Sequence, residues 1–274
     1  MALRQLLANF GIDRVTDAIS VTAIYRYPVK GLSAQALPSV KLEQDEAIPF
    51  DRAWAIENGP GRFDPQNPQH LPKVAFLMLM RDERLATFQT EFDEATRPLT
   101  IKRGGKAVCR GDLSTKTGRA LIEQFLAAYM KDNLRGPAHI VGGVAGHSLS
   151  NIPEKRLHII NLATLTDVER VVGRRLDPLR FRPNVIITGA PAWSEFSWIG
   201  QEFRVGSSGV RLEVIRRTRR CPATNVEPST GVRDADIPAR LERQWGHSDF
   251  GVYARVTARG LLAIGDHVEA SKGG

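Results

Sequence analysis

Cysteine is scarce in this chain: Cys109 and Cys221 are the whole supply among 274 residues. Two thiols exclude a four-cysteine iron–sulfur set, and their separation matches no zinc-ligand spacing. Scarce cysteine without a signal-peptide hydrophobic core points to a reducing, cytoplasmic setting, although a Cys109–Cys221 disulfide stays open at this point. Long apolar runs are missing too, so the chain reads as soluble, with no membrane-spanning helix and no membrane partner. The glycine-rich stretch Gly142–Gly146 lacks the Lys and Ser/Thr of a P-loop. No flavin motif is present. Aromatic residues, at 7%, form no interleaved stacking platform, which argues against nucleic acid as a partner.

What the chain does have is positive charge. Its net charge of +8 favours anionic partners, and much of it is local: Arg211, Arg216, Arg217, Arg219 and Arg220 lie close together. Such a concentration points to ligand chemistry rather than to a diffuse basic surface. Apolar content of 42% and charged content of 25% exclude disordered and fibrous classes and leave an ordinary globular protein. At 274 residues it has room for one large or two modest domains.

Residues 1–19 form a leader with an amphipathic look from Leu3, Leu6, Leu7 and Phe10. Beyond it, β-branched and aromatic patterning predicts strands over 21–27, 37–42 and 51–56. Further strands are expected at 85–90, 99–102, 157–160, 185–188, 203–205, 210–215, 250–256 and 263–268. The apolar run 75–80 is either strand or short helix. Apolar recurrence at helical spacing predicts a helix over 115–132 capped by Ser114, and another from Asn161 or Thr164 to about 172. A short helix is expected over 237–244. The fold class is therefore mainly β with a few helices: a β-rich N-terminal unit over 20–135, packed on a β-barrel-like unit over 136–274.

The stretch that organises the chemistry is Arg216-Arg217-Thr218-Arg219-Arg220-Cys221-Pro222. Thiolate, not thiol, is the nucleophile and the metal ligand, and neighbouring cations favour it. Arginine adds a planar fork suited to phosphate. A metal or cofactor that also carries a phosphate suits this pairing, and a surface arginine run beside a bystander cysteine suits it as well. Arg220-Cys221, Thr224, Glu227-Pro228 and Gly231 resemble the cysteine loop of the MOSC family, the domain found in molybdenum cofactor sulfurases and amidoxime-reducing components, with Glu227 in place of the usual Asp. Tyr27-Pro28-Val29-Lys30, Asp51-Arg52, Arg180-Phe181-Arg182-Pro183-Asn184 and Gly265-Asp266-His267-Val268 match the same family in the same order, over nearly the whole chain.

The resemblance implies a MOSC N-terminal β-barrel region followed by a MOSC domain, and it implies the molybdenum cofactor, Mo-molybdopterin. Cys221 is then the protein's ligand to the metal, with Tyr253 as an aromatic beside it. Lys30, Arg52, Ser150, Asn161, Thr164, Arg182, Asn184, Arg219 and Arg220 are expected to hold the cofactor. For most of these a bland role is open: Lys30 and Arg52 as surface cations, Asn161 and Thr164 as helix caps, Tyr253 as a half-buried strand residue. Gly31 replaces the family's Ser, so a side-chain hydroxyl is lost there. His247 and Asp249 form a candidate proton-transfer pair, and Cys109 has no assigned role. By resemblance the activity is reduction of a small N-hydroxylated compound, with electrons from a separate redox protein. The alternatives are a cofactor carrier or a pyridoxal phosphate-independent sulfur carrier with a Cys221 persulfide, or a metal-free binder of a phosphate-rich ligand.

Overall fold

The computed structural model describes residues 18–271, so all but the last two residues of the leader expected over 1–19 lie outside the described residues. In chain order the first strands are β1 (Ser20–Arg26), β2 (Gln35–Leu37), β3 (Ser39–Leu42), β4 (Trp54–Asn58), β5 (Gln89–Phe92), β6 (Pro98–Arg103) and β7 (Lys106–Asp112). Helix α1 (Lys116–Tyr129) separates these from β8 (Ala138–Gly142) and β9 (Leu157–Asn161), and α2 (Leu162–Val172) leads to β10 (Val185–Thr188). Then come β11 (Glu202–Val205), β12 (Val210–Arg219), helix α3 (Ile237–Trp245), β13 (Asp249–Ala258), β14 (Gly260–Ala263) and β15 (Val268–Ala270). The described chain is mainly β, as its patterning indicates.

One eight-stranded sheet runs β15-β11-β12-β13-β9-β10-β1-β2. Only β9 and β10 run parallel, with α2 as their crossover. The sheet curls until its far strands meet. Ser20 bridges His267, and the Val268 amide donates to the Ile19 carbonyl at 2.8 Å while the Val21 amide donates to the Asp266 carbonyl at 2.9 Å. Seven strands therefore close into a barrel, which leaves few free edges. Val21, Ile187, Val205, Leu212, Val252 and other branched residues fill its interior. The opposite face of β1, β9 and β10 carries Tyr25, Ile160 and Ile186, which α2 and α3 cover with Leu165, Val168, Ile237 and Leu241.

A second core gathers Trp54, Phe88, Ile101, Ile122 and Leu126 among the β5-β6-β7 sheet, the β4-β8 pair and α1. Three strands from the N-terminal stretch, β1, β2 and β3, belong to the C-terminal part of the fold. β1 pairs with β10, and β3 pairs with β14.

Where elements differ from the patterned expectation, the cause is local. The run 37–42 breaks at Pro38, which has no N–H for a ladder, into β2 on the large sheet and β3 on another. The run 75–80 follows a 3₁₀ turn, Lys73–Ala75, as irregular chain, and 85–90 starts in another, Glu83–Thr87, before β5 begins at Gln89, yet Leu77 and Leu85 are fully buried. Helix α1 is capped by Thr115, whose hydroxyl accepts the Gly118 amide at 3.0 Å, while Ser114 bonds the Asp112 carboxylate. β12 runs on through the arginines to Arg219, four residues past the expected strand. The expected strand over 263–268 is two short ones, β14 and β15, around a turn.

Candidate functional site

β1 ends at Arg26, and the next residue, Tyr27, organises the site. Its ring is almost completely buried, its amide donates to Asp51 Oδ1 at 2.8 Å, and its hydroxyl donates to the Pro183 carbonyl at 3.2 Å. Two guanidiniums lie on the ring: Arg182 at 4.1 Å from its centre and Arg52 at 4.5 Å. Both arginines have left-handed backbone, φ 52° for Arg182 and 53° for Arg52. Strain of this kind in non-glycine residues clusters at functional sites. Asp51 pairs with Arg52, whose other contacts are the Arg182 carbonyl at 3.3 Å and Asn184 Oδ1 at 3.4 Å. Asn184 is fully buried and accepts the His158 amide at 3.1 Å through the same oxygen.

The end of β12 brings the cysteine to this cluster. Arg220 donates to the Phe181 carbonyl at 2.7 Å and approaches His158 Nε2 at 3.4 Å. Cys221 follows, half-buried, at the start of the 3₁₀ turn Pro222–Asn225; its carbonyl accepts both the amide and the hydroxyl of Thr224. Arg180 anchors this turn from behind. It is buried, donates to the Asn225 carbonyl at 3.2 Å, and pairs with Glu227 and Asp234. The Glu that replaces the family's Asp at position 227 thus still meets a cation. From the other side, Lys30 reaches in, donates to the Ser150 carbonyl at 3.0 Å and lies over the Phe76 ring. Gly31, at φ 88°, has no room for a side chain without crowding the Leu77 carbonyl, which suits the glycine found here.

Together these groups line a cleft of about 900 Å³ including its open mouth. Of the cations that line it, Arg52, Lys155 and Arg180 are paired with carboxylates, whereas among the described residues Lys30, Arg182 and Arg220 are paired with none. A buried cation without a carboxylate partner is costly to hold charged. Burial, with Arg52 and Arg182 adding to it, lowers the Lys30 pKa to about 7. Burial lowers Arg182 to about 10, with Arg52 and Arg220 nearby. His158, buried and close to Arg220, is held well below the usual histidine value and is neutral.

The expected residues Lys30, Arg52, Ser150, Arg182, Asn184, Arg219, Arg220, Cys221 and Tyr253 all line this one cleft. Two do not. Asn161 and Thr164 are fully buried elsewhere, where Asn161 caps α2 through the Ala163 amide and both side chains bond Glu195. Their polar atoms are spent on that network, so the helix-cap role holds for Asn161 and the cofactor role does not fit. His247 and Asp249 also lie outside the cleft; His247 packs against Trp193 and Phe196. The structure adds Asp51, His158 and Arg180. Asp51 and Arg180 stand inside motifs already noted, whereas His158 is hidden in an apolar strand. Cys109 and Cys221 are both free thiols.

A phosphate-bearing cofactor that binds its metal through one protein sulfur fits these residues. Arg182 Nη2, Arg220 Nε and Thr218 Oγ1 are buried without hydrogen-bond partners, all on residues that line the cleft. Buried donors in that state are rare unless a ligand completes them. Among the described residues no three His, Cys, Asp or Glu side chains gather as a metal site. No helix among them is long and apolar enough to cross a membrane.

The chain matches two known domains: the MOSC N-terminal beta barrel domain over residues 18–133 and the MOSC domain over residues 142–269. Mitochondrial amidoxime reducing component 2 of Bos taurus is 30% identical over 289 residues, covering 93% of this chain and 84% of that protein. Its Macaca fascicularis counterpart is 32% identical over 124 residues, which is 41% of this chain but only 36% of the macaque protein. The human molybdenum cofactor sulfurase is 22% identical over 270 residues, covering 85% of this chain and 29% of the sulfurase.

Proposed function

Since the chain belongs to the MOSC family, with the family's N-terminal barrel domain ahead of the MOSC domain, we propose that its cleft binds the molybdenum cofactor and that it reduces N-hydroxylated compounds. The observation that carries this reading is a lone half-buried thiol, Cys221, on a cleft of cations with unpartnered donors. Bound there, the cofactor would supply a metal capable of two-electron oxygen-atom transfer. Cys221 is the protein's ligand to that metal, a soft sulfur suited to it. Arg52, Arg182, Arg220 and Lys30 bind the phosphate, and Asn184 with neutral His158 fixes the surrounding backbone. Tyr253, its ring centre 5.6 Å from that of His158, lines the same cleft as Cys221 and would supply a proton as the substrate's N–O bond breaks.

The reaction balances as substrate N–OH plus two electrons and two protons giving N–H and water. The electrons come from a separate redox protein. Exposed Arg216, Arg217 and Arg219, next to Cys221 in sequence, favour an acidic one.

Elemental analysis of protein from a cofactor-competent host tests the reading. Near-stoichiometric molybdenum is expected in the wild type and little in Cys221→Ala. Metal-free wild type would sink the proposal, and metal without turnover of any N-hydroxylated substrate would favour the carrier role.

A further inference from the structure

Cys221 lines two cavities. One is the cationic cleft; the other, of about 410 Å³ including its mouth, also reaches the cysteine and shares Lys30, Asn151, Arg182 and Ala223 with the cleft. Part of the smaller cavity's wall belongs to it alone: Lys73, Met78, Leu79 and Met80. The cofactor chemistry proposed above gives these four residues no part.

This wall comes from the N-terminal unit, yet it is tied to the cysteine turn. Arg233 donates to the Leu79 and Met80 carbonyls at 3.3 and 2.8 Å and pairs with Glu83. The same guanidinium donates to the Pro222 carbonyl at 3.3 Å, next to Cys221. Asp82 accepts the Met78 amide at 2.8 Å. The backbone is thus pinned, while methionine side chains adapt to the shape of an apolar ligand.

Charge enters through Lys73. It is half-buried, and its ammonium meets Met80 Sδ at 3.8 Å, a weak acceptor. Among the described residues it pairs with no carboxylate. Its charge reaches Lys30, whose pKa is lowered by burial and then by Arg52, Arg182 and Lys73. Two ammonium groups therefore bear on one cavity with no anion between them. Arg182 Nη2, on a residue common to both cavities, is buried without a partner.

We propose that the smaller cavity is the substrate subsite, where an apolar body lies against Met78 and Met80 and a carboxylate at its far end meets Lys73. This rests on the reductase reading of Cys221 and narrows its substrates to N-hydroxylated carboxylic acids with a short apolar spacer. A single ammonium beside thioethers matches a monoanionic carboxylate. Phosphate calls instead for the forked donors gathered in the cleft.

Alkylation of the cofactor-free protein tests the subsite without turnover. The Cys221 thiolate displaces bromide from 4-(bromomethyl)benzoate: an S–C bond forms as the C–Br bond breaks. Cys109, which lines neither cavity, is the internal reference. Mass spectrometry gives the Cys221-to-Cys109 labelling ratio, with neutral 4-(bromomethyl)benzamide for comparison. The preference for the benzoate is expected to drop about fivefold in Lys73→Met, the upper range for a half-exposed ion pair, and further in Lys73→Glu. Met80→Trp, which fills the cavity, should slow both reagents at Cys221; circular dichroism verifies the fold of each variant. In the loaded enzyme, the kcat/KM ratio of 4-carboxybenzamidoxime to benzamidoxime should fall by a similar factor in Lys73→Met, through KM. An undiminished benzoate preference in Lys73→Met would overturn the subsite, and so would unslowed labelling in Met80→Trp. Labelling that depends on Lys73, with neither amidoxime turned over, would keep the carboxylate site and sink the reductase reading instead.

Discussion

Lys30 is where side-chain chemistry is most sharply tuned. With its pKa lowered to about 7 by burial and by Arg52 and Arg182, the amine is about half protonated near neutrality. An anion in the cleft favours the ammonium form, so the bound pKa lies above the free one and binding takes up a proton. Affinity of the cofactor-free protein for sulfate, which stays a dianion throughout, should be flat below pH 7. Above that it should fall by up to about tenfold per pH unit. Calorimetry across pH 6–9 checks this, and Lys30→Met should flatten the profile as well as weaken binding; a flat wild-type profile would mean that Lys30 does not meet the anion. Little of this tuning was legible in sequence. Cys221 stood out because its neighbours are chemically unusual, and Lys30, Arg52 and Arg182 stood out only through motif resemblance. His158 had no signal, since a buried histidine in Leu157-His158-Ile159-Ile160 carries the pattern of an ordinary strand.

At the level of elements, caps and strand irregularities decide what reaches the cleft. Asn161 begins α2 and also donates to the Pro191 carbonyl at 2.9 Å and to Glu195. Asn161→Ala should cost about 1–3 kcal/mol of stability in denaturant titration, from a lost cap and a lost hydrogen bond to the buried Glu195 carboxylate. Its molybdenum content per folded protein should stay at the wild-type level, whereas a drop would return Asn161 to the site. β12 shows the other device. Its register against β13 shifts between Val214 and Arg216 and again between Arg217 and Arg219. Such bulges re-aim side chains, and here adjacent Arg216 and Arg217 are both exposed while Thr218 is buried. Strands that bury both faces, such as β1 and β10, could be read from their β-branched and aromatic composition. β7 could not, because most of its side chains are exposed and leave no apolar alternation. The arginines at the end of β12 hid its continuation in the same way, since pairing with β13 outweighs their composition.

Across the whole molecule, long-range pairing does what no local pattern announces. β1 lies between β10 and the segment leading into β15, so the barrel cannot close without a strand from the chain's first quarter. Residues 136–274 expressed alone should therefore give a collapsed amide spectrum in NMR. Adding 18–135 on a separate chain should restore dispersion and, from a cofactor-competent host, the metal. A well-dispersed spectrum from the fragment alone would show that β1 is dispensable. The same closure fixes where fused segments depart. Ile19 and Val268 share a hydrogen bond at one end of β1, whereas Tyr27 and its arginines stand past the other, roughly 25 Å along the strand. A surface tether, reporter or second enzyme grafted ahead of residue 18 or behind 271 would leave from the pole opposite the mouth. Immobilised on an electrode by either graft, the protein would present its cleft outward to solution.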